Sequence, residues 1–542
     1  MALTTQTAGP FDDQKPGTSG LRKRTRRFME PDYLDCFAQA ILDATGAEGR
    51  VLVLGGDGRF FAREAAERIL RICAGNGVAR VIVGRGAILS TPAASHLVRL
   101  HGADGGIVLS ASHNPGGLTG DFGVKYNIAN GGPAPEAVTA AIHAASRRVT
   151  RVRIEDGPLP DLDRTGTFAL GGMAVQVVDP VTDYAELMSR LFDFDSIRAL
   201  AAGGFRLRFD AMNAVTGPYA VEILERRLGF AEGSVVNAVP LPDFGGLHPD
   251  PNPTWARDLW DLMMGPDAPD LGAASDGDGD RNMILGPGTY VSPSDSLAVL
   301  AANARLIPAH AAGLSGVARS MPTSAAVDRV AAHLDIPCHE TPTGWKFFGT
   351  LLDAGRVSLC GEESFGTGAD HVREKDGLWA VLAWLNILAA RQAGVAEVLA
   401  THWRRFGRNF YSRHDYEALP LAEAAAVMDR LRGALPGLPG TVVAGMTVAG
   451  ADDFAYRDPV DGSETTGQGL RVLFEGGARI VLRLSGTGTE GATLRLYLDW
   501  PEDDPDRFDL PVADVLAPLV RAAESLAGIA AITGRPAPDV VT

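Results

Sequence analysis

Short apolar runs alternate with stretches of helical spacing along most of this chain. Residues 51–54 (VLVL) read as a strand closed by the turn-rich GGDGR. The spacing over 60–74 predicts a helix, 79–83 a strand, 93–100 a helix and 106–109 another strand. The rhythm returns at 206–210, 217–228 and 271–274, and again at 317–319, 323–334 and 357–359. Strands alternating with helices predict α/β layering. In each block a late strand runs straight into a polar loop, first SASHNPGG, then DGDGDRN, then GEESFG. Loops at the carboxyl ends of such strands are where α/β proteins usually hold ligands. They begin near 110, 276 and 361, a spacing too uneven to read as a repeat. The last block differs, with strand-like runs at 469–474 and 478–484 around an EGG turn, a third at 493–499 and a helical tail at 512–529. That pattern predicts a smaller α+β domain. Cuts near 180, 290 and 400 give units 1–180, 181–290, 291–400 and 401–542.

Composition narrows the function classes. The 542 residues are 46% hydrophobic and 21% charged, as in soluble globular proteins. The longest near-apolar run, 378–390, is shorter than the roughly 18 residues that span a bilayer, and the first twenty residues hold no apolar segment. A cytoplasmic protein is the expectation. A net charge of −16 argues against nucleic acid or an anionic membrane as partner, so an anionic small substrate needs a local basic pocket. No obligatory protein partner is evident. Cys36, Cys73, Cys338 and Cys360 form no CxxC pair, which suggests neither a disulfide scaffold nor zinc and fits a reducing compartment.

The loops carry the candidate chemistry. In DGDGDRN, Asp276, Asp278 and Asp280 alternate with glycines that let the backbone curl, so three carboxylates can converge on one hard cation. An EF-hand fails, because its sixth position would be Arg281 and its twelfth Pro287. A magnesium site completed by a phosphate oxygen fits better, although the loop alone reads equally well as a solvated acidic turn. SASHNPGG sets Ser112 before His113 without a GxSxG elbow, which disfavours a hydrolase triad. RLSGTGTEGATLRLY has glycines in the spacing of a dinucleotide fingerprint, but that fingerprint must open a helix and 493–498 reads as a strand. A phosphate cradle is the better account, with Ser485, Thr487, Arg483, Arg495 and backbone N–H groups as donors. GEESFG and TPTGWKFF offer groups that grip sugar hydroxyls. DHVREKDG and RKRTRR read on their own as charged turn and solvated basic arm. No P-loop motif occurs.

Together these features point to phosphoryl transfer on a sugar phosphate. The set DQKPGTSGLRKR, SASHNPGG, DGDGDRN, TPTGWKFF, CGEESFG, REKDG and RLSGTGTEGATLRLY, with FDAMNAVTGPYA and PLPDFGGLHPDPN, resembles the phosphoglucomutase family of the α-D-phosphohexomutase superfamily from Asp13 to the end of the chain. The resemblance implies three similar α/β domains, with sheets flanked by helices, and a smaller C-terminal α+β domain around a central cleft. It implies that Ser112 is the phosphoserine and that Asp276, Asp278 and Asp280 hold Mg²⁺ with one of its oxygens. Thr343, Gly344, Glu362 and Ser364 would contact the sugar, and Arg483, Ser485, Gly486, Thr487 and Arg495 the phosphate that is not being transferred. Arg22, His113, Lys125, Arg281 and Lys375 would line the transfer site, with Lys125 or Lys375 carrying the proton. The implied reaction interconverts glucose 1-phosphate and glucose 6-phosphate through glucose 1,6-bisphosphate. Ser110 stands where the family often has Thr, and Thr489 and Glu490 fall in a variable stretch. The alternatives are a mannose or glucosamine phosphate mutase, a non-catalytic sugar-phosphate-binding protein, and a simple phosphatase. The sugar loop favours glucose, the intact serine and aspartates disfavour a non-catalytic protein, and the distal cradle disfavours a phosphatase.

Overall fold

The alternating pattern of the first 400 residues produces one sheet plan three times over. The computed structural model describes residues 3–17, 19–485 and 491–542. In the first sheet the parallel strands Val51–Gly56, Arg80–Ile88 and Gly105–Leu109 are followed by Asp121–Ile128, which returns antiparallel beside the third. The spatial order is fourth, third, first, second. The second sheet repeats this with Leu207–Asp210, Val235–Val236, Leu271–Ser275 and the antiparallel Asn282–Gly286. The third repeats it with Val317–Ser320, Cys338–Thr341, Leu359–Gly361 and Thr367–Ala369. Connections of unequal length hide this repeat in the sequence, while the strand order preserves it. In every copy the polar loop lies between the third parallel strand and its antiparallel return.

The basic run 22–27 is not a solvated arm. Leu21–Arg24 is an edge strand on Asp121–Ile128 and Thr25–Phe28 a helical turn, because the flanking Leu21 and Phe28 are buried and draw the run onto the sheet. The fourth sheet is antiparallel. At its centre the predicted runs pair as Leu470–Phe474, Arg479–Ser485 and Ala492–Glu502, joined by Arg408–Leu419 and covered by the helices Leu421–Ala434 and Val512–Ala527.

Sheet membership changes after Val178, after Val291 and at Gly407. Pro180 and Pro293 open helices there, capped by the side chains of Asp179 and Ser292. The helix Val395–Phe406 runs across residue 400 and buries Val395, Val398 and Leu399 in the core beneath the third sheet, so that unit reaches Phe406.

The central helix Gly377–Arg391 is apolar on every face, and residues 377–389 are buried, as a helix without a polar stripe requires. Trp384 is fully enclosed, its indole N–H donating to Ser296 Oγ at 2.9 Å. The helix start abuts the DGDGDRN loop. Gly377 N–H donates to the Gly279 carbonyl at 3.1 Å, and a Cβ on Gly377 would lie 2.0 Å from the Arg281 carbonyl oxygen, so only glycine fits.

Glu340 ties the third and fourth sheets, accepting from Arg319 at 2.8 Å, Arg471 at 2.7 Å and Arg479 at 3.3 Å. Burial raises its pKa, but the three guanidinium groups outweigh burial and hold it below the ordinary 4.5. A carboxyl with a lowered folded value contributes stability that is complete above its unfolded value and is lost as pH falls through the folded one. The contact between these sheets should therefore weaken as pH falls below 4.5. Thermal unfolding followed from about pH 7 to about pH 3 should show a flatter acid limb in Glu340→Gln than in the parent, and identical limbs would exclude this anchor.

Candidate active site

The first polar loop presents Ser112 at the end of Gly105–Leu109. Its backbone is left-handed, φ 53°, and its hydroxyl donates to Asp276 Oδ2 at 2.9 Å across the gap to the second sheet. His113 Nδ1 lies 3.4 Å from the same oxygen. Burial, then the charges of Arg281 and Arg22, keep the His113 pKa well below 6.5, so the ring is neutral. The two loops meet backbone to backbone, since a Cβ on Gly277 would lie 2.4 Å from the Ser112 carbonyl oxygen.

Asp276, Asp278 and Asp280 are 0%, 3% and 3% exposed, and one carboxylate oxygen from each lies within 4.8 Å of the others. Asp276 Oδ1 is pinned by the N–H groups of Gly279, Asp280 and Arg281 at 3.0, 2.9 and 3.1 Å, which leaves Oδ2 turned towards Ser112. Thr91 Oγ1 donates to Asp278 Oδ2 at 2.8 Å. The other oxygens, Asp278 Oδ1 and Asp280 Oδ1, are buried and accept no hydrogen bond. Burial, with Asp278 and Asp280 alongside, pushes the Asp276 pKa far above the carboxylate range. Asp278 is driven up by burial but held below its ordinary value by Lys125 and Lys375. Three converging carboxylates, two of them with a buried oxygen that accepts no hydrogen bond, fit a divalent cation such as Mg²⁺.

The third loop and the REKDG turn close the site around this cluster. Glu362 Oε1 accepts the Gly344 N–H at 2.9 Å, so TPTG and GEESFG form one wall, and Thr343 Oγ1 is buried without a hydrogen bond. Asn282 N–H donates to the Phe365 carbonyl at 2.9 Å, which stitches the metal loop to the sugar loop. Consecutive side chains of REKDG tie the first three units together. Arg373 takes Asp353, Glu374 takes Lys125 at 2.5 Å, Lys375 takes Asp280 at 3.2 Å, and Asp376 accepts from Tyr184 at 2.6 Å. Although burial opposes it, Asp280 and Glu362 raise the Lys375 pKa, so the ammonium is charged.

Across the cleft, Arg483 and Arg495 are directly opposed on neighbouring antiparallel strands. Like charges in that register repel unless an anion lies between them. Arg483 Nε–H is fixed on the Gln468 carbonyl at 3.0 Å, and Asp415 lies 3.5 Å from Arg495 Nε.

All four units line one cleft of about 610 Å³. It brings together Arg22, His113, Lys125, Asp278, Asp280, Arg281, Thr343, Gly344, Glu362, Ser364, Lys375, Arg483, Ser485 and Arg495. Ser112 and Asp276 do not line it themselves but are hydrogen-bonded to each other beside the lining residues His113, Asp278 and Asp280. Gly486 and Thr487 lie outside the described residues. Sequence reasoning missed several contributors. Glu374 was within the quoted REKDG, Asp57 within GGDGR, and Asp415 on the strand beside Arg495; nothing in spacing marks an acceptor that serves another side chain. His248, in the unassigned PLPDFGGLHPDPN, stacks on His113 with centroids 6.1 Å apart.

The chain matches the family models for phosphoglucomutase/phosphomannomutase α/β/α domain I over residues 13–153, domain II over 182–288 and domain III over 293–406, and the phosphoglucomutase-1 C-terminal domain over 408–539. It is 59% identical to a phosphoglucomutase of Rhizobium radiobacter over 534 residues, 98% of each chain. It is 49% identical to phosphoglucomutase-1 of Oryctolagus cuniculus, with 100% of each chain covered. Among solved structures, the open form of the Paramecium phosphoprotein pp63/parafusin, a phosphoglucomutase, superposes with a TM-score of 0.92 at 45% identity, over 100% of this chain and 99% of that one.

The donor set makes a direct prediction. Calorimetric titration of the full chain with Mg²⁺ should give a saturable signal that Asp278→Asn and Asp280→Asn each remove. Parental binding in both variants would exclude the cluster as the cation site.

Proposed function

The chain belongs to the phosphoglucomutase family, and from that membership we propose how its own residues perform the family's reaction. It is an isomerase that interconverts glucose 1-phosphate and glucose 6-phosphate. The observation that carries the mechanism is the Ser112 hydroxyl, 2.9 Å from Asp276 Oδ2 and beside His113 at the edge of a cleft that also holds the opposed Arg483 and Arg495. One end of that cleft suits a phosphoryl group in transfer, the other a phosphate at rest.

Phosphoryl transfer is governed by alignment and by neutralising the oxygens in flight. Ser112 carries the phosphoryl group. Its Oγ–P bond breaks as a bond forms to the free 6-hydroxyl of glucose 1-phosphate, and the hydroxyl proton passes by way of Lys125 to the departing Ser112 Oγ, while Lys375, already a charged ammonium beside Asp280, neutralises the oxygens in flight. The product is glucose 1,6-bisphosphate. It turns in the cleft, Arg483 and Arg495 take the phosphate just formed, and the other phosphoryl returns to Ser112: the O1–P bond breaks as the bond to Oγ forms, and the Ser112 hydroxyl proton ends on O1 to give glucose 6-phosphate. Asp276, Asp278 and Asp280, with a phosphoserine oxygen, would hold Mg²⁺, which would supply Lewis-acid charge neutralisation at the phosphoryl oxygens. Arg22, His113 and Arg281 border the same oxygens. Neutral His113 donates a hydrogen bond without adding charge. Thr343, Gly344, Glu362 and Ser364 border the sugar hydroxyls, while Ser485 joins Arg483 and Arg495 in the distal grip. Glucose 1,6-bisphosphate also primes Ser112. The basic lining lets a small sugar phosphate enter a protein of net charge −16. A reducing, cytoplasmic setting fits four cysteines that form no disulfide.

Ser112→Ala should lose nearly all mutase activity yet remain folded. Intact-mass spectrometry after incubation with glucose 1,6-bisphosphate should find one added phosphate on the parent and none on the variant, and near-parental turnover in the variant would refute the assignment. Arg495→Ala tests the second half of the cycle. It should raise KM by about tenfold, the cost of one charge-assisted contact, and release measurable glucose 1,6-bisphosphate, making turnover depend more steeply on added bisphosphate. Parental KM without that dependence would make the hairpin structural only.

A further inference from the structure

Ser112 holds a left-handed backbone, φ 53°, which a residue with a Cβ adopts only where its surroundings impose it. The imposing element is a buried ion pair with no part in the transfer steps above. Asp57 and Arg59, just after Val51–Gly56, are 0% and 1% exposed. Arg59 Nε–H donates to both Asp57 oxygens at 3.0 and 2.9 Å. Its Nη1 donates to the Asp121 carbonyl at 2.8 Å and its Nη2 to the Ser112 carbonyl at 2.7 Å. Asp57 Oδ2 accepts the Ser110 hydroxyl at 2.6 Å, and Ser110 Oγ accepts the Ser112 N–H at 2.7 Å. Both peptide groups of Ser112 therefore end on one buried pair, the carbonyl directly and the N–H through Ser110.

We propose that Asp57, Arg59 and Ser110 are positioning residues for phosphoryl transfer, a clamp that fixes the Ser112 backbone so that its Oγ faces Asp276. The proposal rests on Ser112 being the phosphoryl carrier. Releasing either peptide group lets the residue relax from φ 53° towards ordinary backbone, which swings Oγ away from the cation ligands. Ser110 borders the cleft, but its hydroxyl is committed to Asp57 and to the Ser112 N–H rather than to Thr343, Glu362, Arg483 or Arg495, so its removal should leave the grip on substrate largely as it is. Ser110 is the link to cut, because its hydroxyl bridges Asp57 to Ser112 while the buried charges remain paired. Removing Asp57 instead strands the Arg59 charge and endangers the fold.

The test compares Ser110→Ala with Ser110→Thr in the full chain, since threonine keeps the bridging hydroxyl. Misplacing the attacking atom by about 1 Å costs on the order of 10² in rate. Ser110→Ala should accordingly lower kcat by about 30- to 100-fold, with KM for glucose 1-phosphate within about twofold of the parent. Single-turnover transfer of phosphate from glucose 1,6-bisphosphate onto Ser112 should slow by the same factor, while the variant, somewhat less stable for the lost buried hydrogen bonds, keeps a cooperative melting transition well above the assay temperature. Ser110→Thr should recover both rates to within about threefold. Parental kcat in Ser110→Ala, a loss confined to KM, or no recovery in Ser110→Thr would overturn the clamp. A parent protein that takes up no phosphate at Ser112 would instead defeat the phosphoserine reading, and mass spectrometry of the parent alone separates the two failures.

Discussion

The mutual repulsion of Asp276, Asp278 and Asp280 is the constraint around which the molecule is built. Three carboxylates buried within a few ångströms of one another are costly to ionise, and the phosphoryl group proposed for Ser112 would add to the burden. Cations must come from several directions at once. Lys125 and Arg22 arrive from the first sheet, Arg281 from the metal loop itself and Lys375 from the REKDG turn. No single unit could supply this set within one loop, which is a physical reason for the cleft to lie where the units meet.

The REKDG turn shows how that meeting is held. It precedes the most apolar helix in the chain, whose burial fixes the turn's origin, and four consecutive side chains then take partners in different parts of the protein. Apolar packing sets the distances at which the charges meet, and the charges in turn determine how the units can dock. Gly377, with no room for a side-chain carbon, marks the place where the two kinds of packing touch.

Much of this was legible in the sequence. The strand and helix runs of the three blocks, the apolar helix and the paired strands of the last unit appear where periodicity puts them, because each buries one simple pattern. Loops rich in glycine and carboxylate announced the chemistry, and the resemblance assembled them. What escaped were relations between distant residues. The common strand order was masked by unequal connections, and RKRTRR read as solvated because its charges hid the two apolar residues that anchor it. The partners Asp57, Glu374 and Asp415 act by satisfying another side chain, and a one-dimensional pattern carries no mark of that.

The three α/β sheets share one more property. In each, the polar loop is the link between a parallel strand and its antiparallel return, so Ser112, the Asp276, Asp278 and Asp280 cluster and the GEESFG loop occupy equivalent places in three copies of one motif. A gene that tripled such a unit would have acquired three facing loops before any of them had a task. Diversification could then proceed loop by loop, leaving each sheet untouched. The same modularity offers a route to altered sugar preference, through exchange of the third loop on an unchanged phosphoryl-transfer core.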